Sequence, residues 1–118
     1  MKKTIVLSLA IITMMGACKS GAKQAETAQA KVVCETTPTY ESDIKGVIAT
    51  YCTKCHGEKA KGGYNFLLLP DLKRAGKNGD LVGVIKWKRG YPKMPAHADK
   101  LDDKTIHLIE CWVMGGMN

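Results

Sequence analysis

The chain has few aromatic residues and few acidic ones. One Phe, two Trp and four Tyr make up 6% of its 118 residues, so a large core filled with rings is not expected. Asp and Glu number 11 against 18 Lys and Arg, which gives a net charge of +7. Such a basic surface suits nucleic acid, anionic membranes or acidic proteins. A chain of this length holds about one domain with extensions, which excludes large multidomain enzymes.

The chain also lacks a hydrophobic run long enough to span a membrane, but it begins like an exported protein. Lys2 and Lys3 precede an apolar run over residues 5–15, which is shorter than the ~20 residues of a spanning helix. This is a secretory signal pattern. The residues that end it resemble a bacterial lipobox, which predicts a lipoprotein-type signal peptide over residues 1–17 and a lipid on Cys18. The alternative is an ordinary signal peptide that leaves Cys18 unmodified.

The remainder divides into a stem and a domain. Residues 18–33 comprise the lipidated cysteine and a stretch rich in Ala, Lys, Gln, Gly and Ser without apolar periodicity, which predicts a flexible stem. Loss of the signal peptide lowers the net charge to +5, because it contains two lysines and no acid. Residues 34–118 form the predicted domain. At this size burial alone gives marginal stability, so we expect a disulfide, metal or cofactor to help.

Apolar spacing within the domain predicts helices only. Residues 43–51 have apolar side chains at helical spacing, and Ser42 is the predicted N-cap. The further predicted segments are a weaker turn at 71–75, a short helix at 80–87, and a last helix between Asp102 as cap and Gly115 as stop. No stretch alternates between apolar and polar residues as a strand does, so the predicted fold class is all-α.

The most specific motif is C-x-x-C-H at Cys52, Cys55 and His56. Two thiols three positions apart can form thioethers to the two vinyl groups of one haem, and the adjacent imidazole can bind its iron. Export agrees with this interpretation, since c-type haem is attached outside the cytoplasm. A zinc site would need two more ligands, and a redox dithiol would need a thioredoxin-like βαβ pattern; the sequence shows neither. We therefore expect one covalent haem c.

Four segments in order carry a resemblance to class I c-type cytochromes, in particular the short single-haem bacterial type. They are the first amphipathic helix, the C-x-x-C-H motif, Tyr91-Pro92-Lys93-Met94-Pro95, and the last helix with Ile106, Ile109 and Trp112. The resemblance covers about residues 40–116. It implies N- and C-terminal helices packed around one covalently bound haem, with Met94 opposite His56 as the second iron ligand. His97, on the same loop, is the alternative ligand.

The resemblance implies two further contacts. Gly46 would face Trp112 where the first and last helices cross, or else Gly46 only weakens its helix. The carbonyl of Pro70 would hold the second ring nitrogen of His56. Met114 and Met117 are expected at a soft or frayed chain end, away from the iron.

Two cysteines remain after haem and lipid are assigned. Cys34 and Cys111 can form a disulfide in an oxidising compartment. Because Cys111 lies nearly opposite the apolar stripe of the last helix, such a bridge is expected to cross the outer face. The alternatives are two free thiols or a covalent dimer.

With both axial positions filled by His56 and Met94, the predicted protein carries single electrons between redox partners and is not an enzyme. It would act on the periplasmic side, anchored by its lipid to the inner or outer membrane. Basic residues flank the haem segments and suggest docking to acidic partner surfaces, or else a solvated surface: Lys54, Lys59, Lys61, Lys86, Lys88, Arg89 and Lys93. Alternative functions are a haem sensor or weak peroxidase with a labile Met ligand, and a haem-bearing subunit of a larger redox complex. No motif supports nucleic-acid binding.

Overall fold

The computed structural model describes residues 31–118. The predicted signal peptide over 1–17, the lipid site Cys18 and the stem up to residue 30 lie outside the described residues. The described part is helical and without strands, which confirms the all-α class for this part of the chain. The elements in order are a π-helical turn Tyr40–Ile44, α1 Lys45–Tyr51, a 3-10 turn Lys61–Gly63, α2 Leu69–Lys77, α3 Asp80–Ile85 and α4 Asp103–Met114.

The first helix begins earlier than predicted. Helical structure starts at Tyr40, so Ser42 lies within the first turn and is not the N-cap. Thr39 occupies the boundary, and its amide donates to the carboxylate of Asp43 at 2.8 Å. An acidic side chain that accepts from the boundary amide satisfies a donor that has no helical partner, as in a capping box. The π turn then continues directly into α1.

This first turn packs on the last helix. The rings of Tyr40 and Trp112 lie 6.2 Å apart between centroids, and Ile44 and Trp112 are fully buried. The carbonyl of Asn118 accepts from the Tyr40 amide at 2.8 Å and from Trp112 Nε1 at 3.0 Å. The prediction for Gly46 is wrong: Gly46 is exposed, and a Cβ there would meet no atom within 4 Å. The crossing lies one turn earlier, where the helix starts.

The middle of the chain is more helical than its sequence suggested. The weak turn expected at 71–75 is a full helix, α2, and the helix expected over 80–87 ends at Ile85. Gly76 of α2 is buried where a Cβ would overlap the sulfur of Met117. Met117 is therefore core, only 4% exposed, and not part of a frayed tail, whereas Met114 is exposed.

The last helix matches its prediction at both ends. Asp102 is the N-cap, and its carboxylate accepts from the Thr105 amide at 2.9 Å and from the Thr105 hydroxyl at 2.7 Å. Gly115 follows the last helical residue, Met114. None of the helices in residues 31–118 has the length and hydrophobicity that crossing a bilayer requires.

A disulfide joins Cys34 to Cys111, with the two Cα atoms 5.6 Å apart. It ties the N-terminal end of the domain to α4. Cys111 is 4% exposed although it lies nearly opposite the apolar stripe of α4, whereas Cys34 is exposed. His107 is exposed, and its Nε2 lies 3.5 Å from the sulfur of Cys111.

Candidate functional site

The C-x-x-C-H residues form one tight turn at the end of α1. The amides of Cys55 and His56 both donate to the carbonyl of Cys52, at 3.2 and 2.9 Å. This turn brings the three predicted site residues together. The next residue, Gly57, is buried, and a Cβ there would come within 2.7 Å of the Thr53 carbonyl oxygen. The turn therefore needs glycine directly after the histidine, a requirement that sequence reasoning missed.

Both thiols on this turn are free. Cys52 is half-buried and Cys55 is exposed. Burial raises the pKa of the Cys52 thiol to about 11, so this thiol is neutral at ordinary pH. Attacking cysteines of dithiol oxidoreductases instead have a lowered pKa. The turn thus presents two thiols, one of them kept in the protonated form.

The aromatic ring of Phe66 orients the imidazole of His56. Phe66 stacks on it with centroids 4.9 Å apart and 27° between the ring planes, and the Phe66 amide donates to the His56 carbonyl at 2.6 Å. Phe66 is 6% exposed. Sequence analysis did not predict a role for this residue. A signal was present, because Phe66 is the only phenylalanine of the chain and follows the motif closely.

The ring nitrogen Nδ1 of His56 is buried and has no hydrogen-bond partner among residues 31–118. The prediction that the Pro70 carbonyl would hold the second ring nitrogen is therefore wrong. Pro70 is exposed and lies in the first turn of α2, where its carbonyl belongs to the helix. A buried polar atom without a partner costs free energy, and such atoms concentrate where a ligand or function accounts for them.

An ion-pair network holds the loop that carries Phe66. Arg74 of α2 donates to the Gly63 carbonyl at 2.8 Å, pairs with Asp71 at 3.0 Å, and lies 4.4 Å from the centre of the Tyr64 ring. Asp71 also accepts from the Asn65 amide at 2.9 Å. That backbone hydrogen bond, followed by the one from Arg74, lowers the pKa of the Asp71 carboxyl. Helix α2 thereby fixes the loop against the face of His56.

Met94 is held by α3 rather than by the motif. Its amide donates to the Val84 carbonyl at 3.1 Å, and its carbonyl accepts from Trp87 Nε1 at 2.9 Å. The side chain is half-buried, whereas His97 is exposed. Of the two alternative iron ligands on this loop, Met94 is thus the one that the fold anchors.

Apolar surface surrounds the motif. Tyr51, directly before Cys52, is 46% exposed, and Leu67 and Leu68, directly after Phe66, are 56% and 55% exposed. A shallow cavity of about 280 Å³ lies on the motif, lined by Thr53, Lys54, Gly57, Glu58, Lys59 and Leu67. A larger one of about 430 Å³ lies on α2, lined by Pro70, Lys73, Arg74, Lys77 and Asn78. Neither is lined by His56 or Met94.

Comparisons of this chain with protein-family models, with curated proteins and with solved structures found no match.

Within residues 31–118, no group of three or more His, Cys, Asp or Glu side chains is placed to hold a metal ion. Of the basic residues predicted to flank the site, one is used within the fold. Lys86 forms an ion pair with the largely buried Glu110 at 2.6 Å, so it is not part of a free basic surface. The others are exposed: Lys54, Lys59, Lys61, Lys88, Arg89 and Lys93.

Proposed function

We propose that the chain is a class I c-type cytochrome that carries single electrons. One haem would be attached through thioethers to Cys52 and Cys55, with His56 and Met94 as its iron ligands. The observation that carries the proposal is the turn over residues 52–56, which places two free thiols beside an imidazole with a buried, unpaired nitrogen. The haem when bound supplies a one-electron iron couple whose potential depends on its axial ligands.

The residues present fit this group. Since Nδ1 of His56 is the buried nitrogen, we assign Nε2 as the iron-binding atom. Phe66 restrains the imidazole plane by stacking, and Gly62 lies beside Cε1 of the ring, where an added Cβ would be in van der Waals contact at 3.7 Å. The exposed side chains of Tyr51, Leu67 and Leu68 supply apolar surface beside the motif, which a porphyrin would cover.

Met94 is the ligand we assign opposite His56. It is half-buried and fixed by two backbone hydrogen bonds, whereas His97 is exposed. An iron bound by both His56 and Met94 would have no open position for a substrate, so the proposed activity is electron transfer without bond making. Thioether ligation raises the potential relative to a second imidazole.

The proposed docking surface is basic and exposed. Lys54 and Lys59 line the cavity on the motif itself, and Lys88, Arg89 and Lys93 lie in the segment before Met94. Positive charge near the proposed haem edge would attract acidic redox partners and lose effect as salt screens it. The lipid anchor on Cys18 and the periplasmic location belong to the same proposal.

Absorbance spectroscopy of protein exported from a host that can attach haem c tests the proposal. We expect a sharp, split band set on reduction and a weak near-infrared sulfur-to-iron band in the oxidised form. Met94→Ala should lose the near-infrared band, while the matched variant His97→Ala should keep it. A colourless protein would contradict the proposal. A haem protein without the band in its parent form, in which His97→Ala alters the spectrum, would assign the ligand to His97.

A further inference from the structure

Trp87 connects α3 to the Met94 loop. Its indole Nε1–H donates to the Met94 carbonyl at 2.9 Å in a partly buried hydrogen bond. The Met94 amide donates to the Val84 carbonyl at 3.1 Å. Both backbone polar groups of Met94 are thus hydrogen-bonded to residues at the end of α3: the carbonyl to the side chain of Trp87 and the amide to the backbone of Val84.

The conformation of Trp87 is itself unusual. Its φ is +56°, in the left-handed region that a bulky residue seldom adopts. Trp87 directly follows Lys86, the C-cap of α3, and its amide donates to the Val84 carbonyl at 3.3 Å. The ammonium of Lys93 lies 4.8 Å from the centre of the indole ring. A backbone conformation of this kind persists when its surroundings fix it, and it concentrates at functional positions.

A second contact holds the same loop against α3. Tyr91 packs on Gly83 of α3 so closely that a Cβ on Gly83 would lie within 2.6 Å of the ring. The Tyr91 amide donates to the Lys88 carbonyl at 3.1 Å. Loss of the Trp87 hydrogen bond would therefore loosen Met94 without releasing the whole loop, because Tyr91 remains in place.

We propose that Trp87 is a positioning residue whose hydrogen bond to the Met94 carbonyl sets how readily an external molecule displaces Met94 from the iron. This inference rests on the proposed function. The physical basis is a population. The apparent affinity for an external ligand equals its intrinsic affinity multiplied by the fraction of molecules in which Met94 has left the iron. Removing one partly buried hydrogen bond raises that fraction.

The test uses imidazole as a neutral external ligand, titrated into the oxidised, exported protein and followed by absorbance. Trp87→Phe keeps an aromatic ring and removes the N–H. We expect its apparent affinity for imidazole to rise about fivefold to tenfold, the effect of losing one typical hydrogen bond. The near-infrared sulfur-to-iron band should persist but disappear at lower imidazole concentration. Lys93→Gln, which removes the cation above the ring, should shift affinity in the same direction by a smaller factor.

Trp112→Phe is the matched control. It is the same substitution and removes the same kind of bond, from Trp112 Nε1 to the Asn118 carbonyl at 3.0 Å. It should lower resistance to urea but leave the affinity for imidazole unchanged. Tyr91→Phe, which removes only a hydroxyl from the Met94 loop, is a second control and should also leave the affinity unchanged.

The outcomes separate this inference from the proposed function. A parent protein without haem overturns both. The inference alone is overturned if the parent has haem and a sulfur-to-iron band but Trp87→Phe and Lys93→Gln both bind imidazole with the same affinity as the parent. An equal rise of the apparent imidazole affinity in Trp87→Phe and Trp112→Phe also overturns the inference, because the effect would then come from general loosening of the fold.

Discussion

The ring of Phe66 stacks on the imidazole of His56, with the ring centroids 4.9 Å apart. Phe66 also donates its amide to the His56 carbonyl, so the same residue fixes both the backbone and the side chain of the proposed iron ligand. Among the described residues, no carbonyl accepts a hydrogen bond from Nδ1 of His56. The orientation of His56 therefore depends on an aromatic contact within the described structure.

Phe66→Leu should destabilise the protein by about 1–2 kcal/mol, since it removes an aromatic pair and changes the shape of a buried side chain. The free energy of unfolding in urea measures the change. Leu67→Ala is the control at the neighbouring, exposed position and should lie within about 0.5 kcal/mol of the parent. Equal effects of the two substitutions would contradict the packing described for Phe66.

The disulfide between Cys34 and Cys111 closes a loop with a sequence separation of 77. Cys34→Ala should lower the free energy of unfolding by about 2–4 kcal/mol, because the bridge restricts the unfolded chain. Thiol counting under denaturing conditions checks the pairing: two more thiols should appear after reduction of the parent than before. If reduction adds no thiol, the bridge is absent and the free-thiol alternative holds.

The ion pair between Lys86 and Glu110 joins the end of α3 to α4. Because Glu110 is largely buried, Glu110→Gln should cost about 1–3 kcal/mol by leaving the Lys86 ammonium without its charged acceptor. The matched control is the exposed pair of Lys45 with Glu41, where Glu41→Gln should produce no measurable change in urea unfolding. A larger loss from Glu41→Gln than from Glu110→Gln would be inconsistent with these burials.

Acid should destabilise the fold through its capping carboxylates. Hydrogen bonds from Thr105, first from its side chain and then from its amide, lower the pKa of Asp102 below its ordinary value of 3.8. A carboxyl with a lowered folded-state pKa stabilises the fold above its unfolded pKa, and this contribution is lost as pH falls through the folded pKa. Asp102→Asn keeps a cap that does not titrate. Below about pH 4, the free energy of unfolding in urea should therefore fall less for Asp102→Asn than for the parent. Identical dependence on pH in the two proteins would contradict this account.

The basic surface should control reaction with small charged oxidants. Lys54→Glu combined with Lys59→Glu should slow oxidation of the reduced protein by hexacyanoferrate(III), an anion, and speed oxidation by hexaammineruthenium(III), a cation. Both effects should weaken as salt is added. Lys100→Glu combined with Lys104→Glu changes the net charge by the same amount at two exposed positions, one just before α4 and one in its first turn, and this charge-matched control should have a smaller effect. Rates that depend on net charge alone would contradict a localised docking surface.

Local features of this fold were predictable from sequence, and contacts between distant segments were not. The Asp102 cap depends on Thr105, three residues away, and was predicted correctly. The crossing partner of Trp112 was not, because it depends on the helix starting at Tyr40 and on the chain end at Asn118. Likewise, the position of Cys111 nearly opposite the apolar stripe of α4 did not predict that its side chain is buried.

The candidate site shows the same division. Cys52, Cys55 and His56 share one turn, so their spacing alone indicated how they lie. Phe66 reaches His56 through a loop whose geometry depends on Arg74 of α2, and no local pattern reports that long-range contact.

The intact mass of the exported protein, measured after denaturation in acid, tests the central claim most directly. Haem held by thioethers survives such denaturation, whereas haem held by iron ligands alone is lost. We predict that the polypeptide carries the added mass of one haem, and that Cys52→Ala combined with Cys55→Ala abolishes it while Cys34→Ala does not. A parent polypeptide without that added mass would contradict the account.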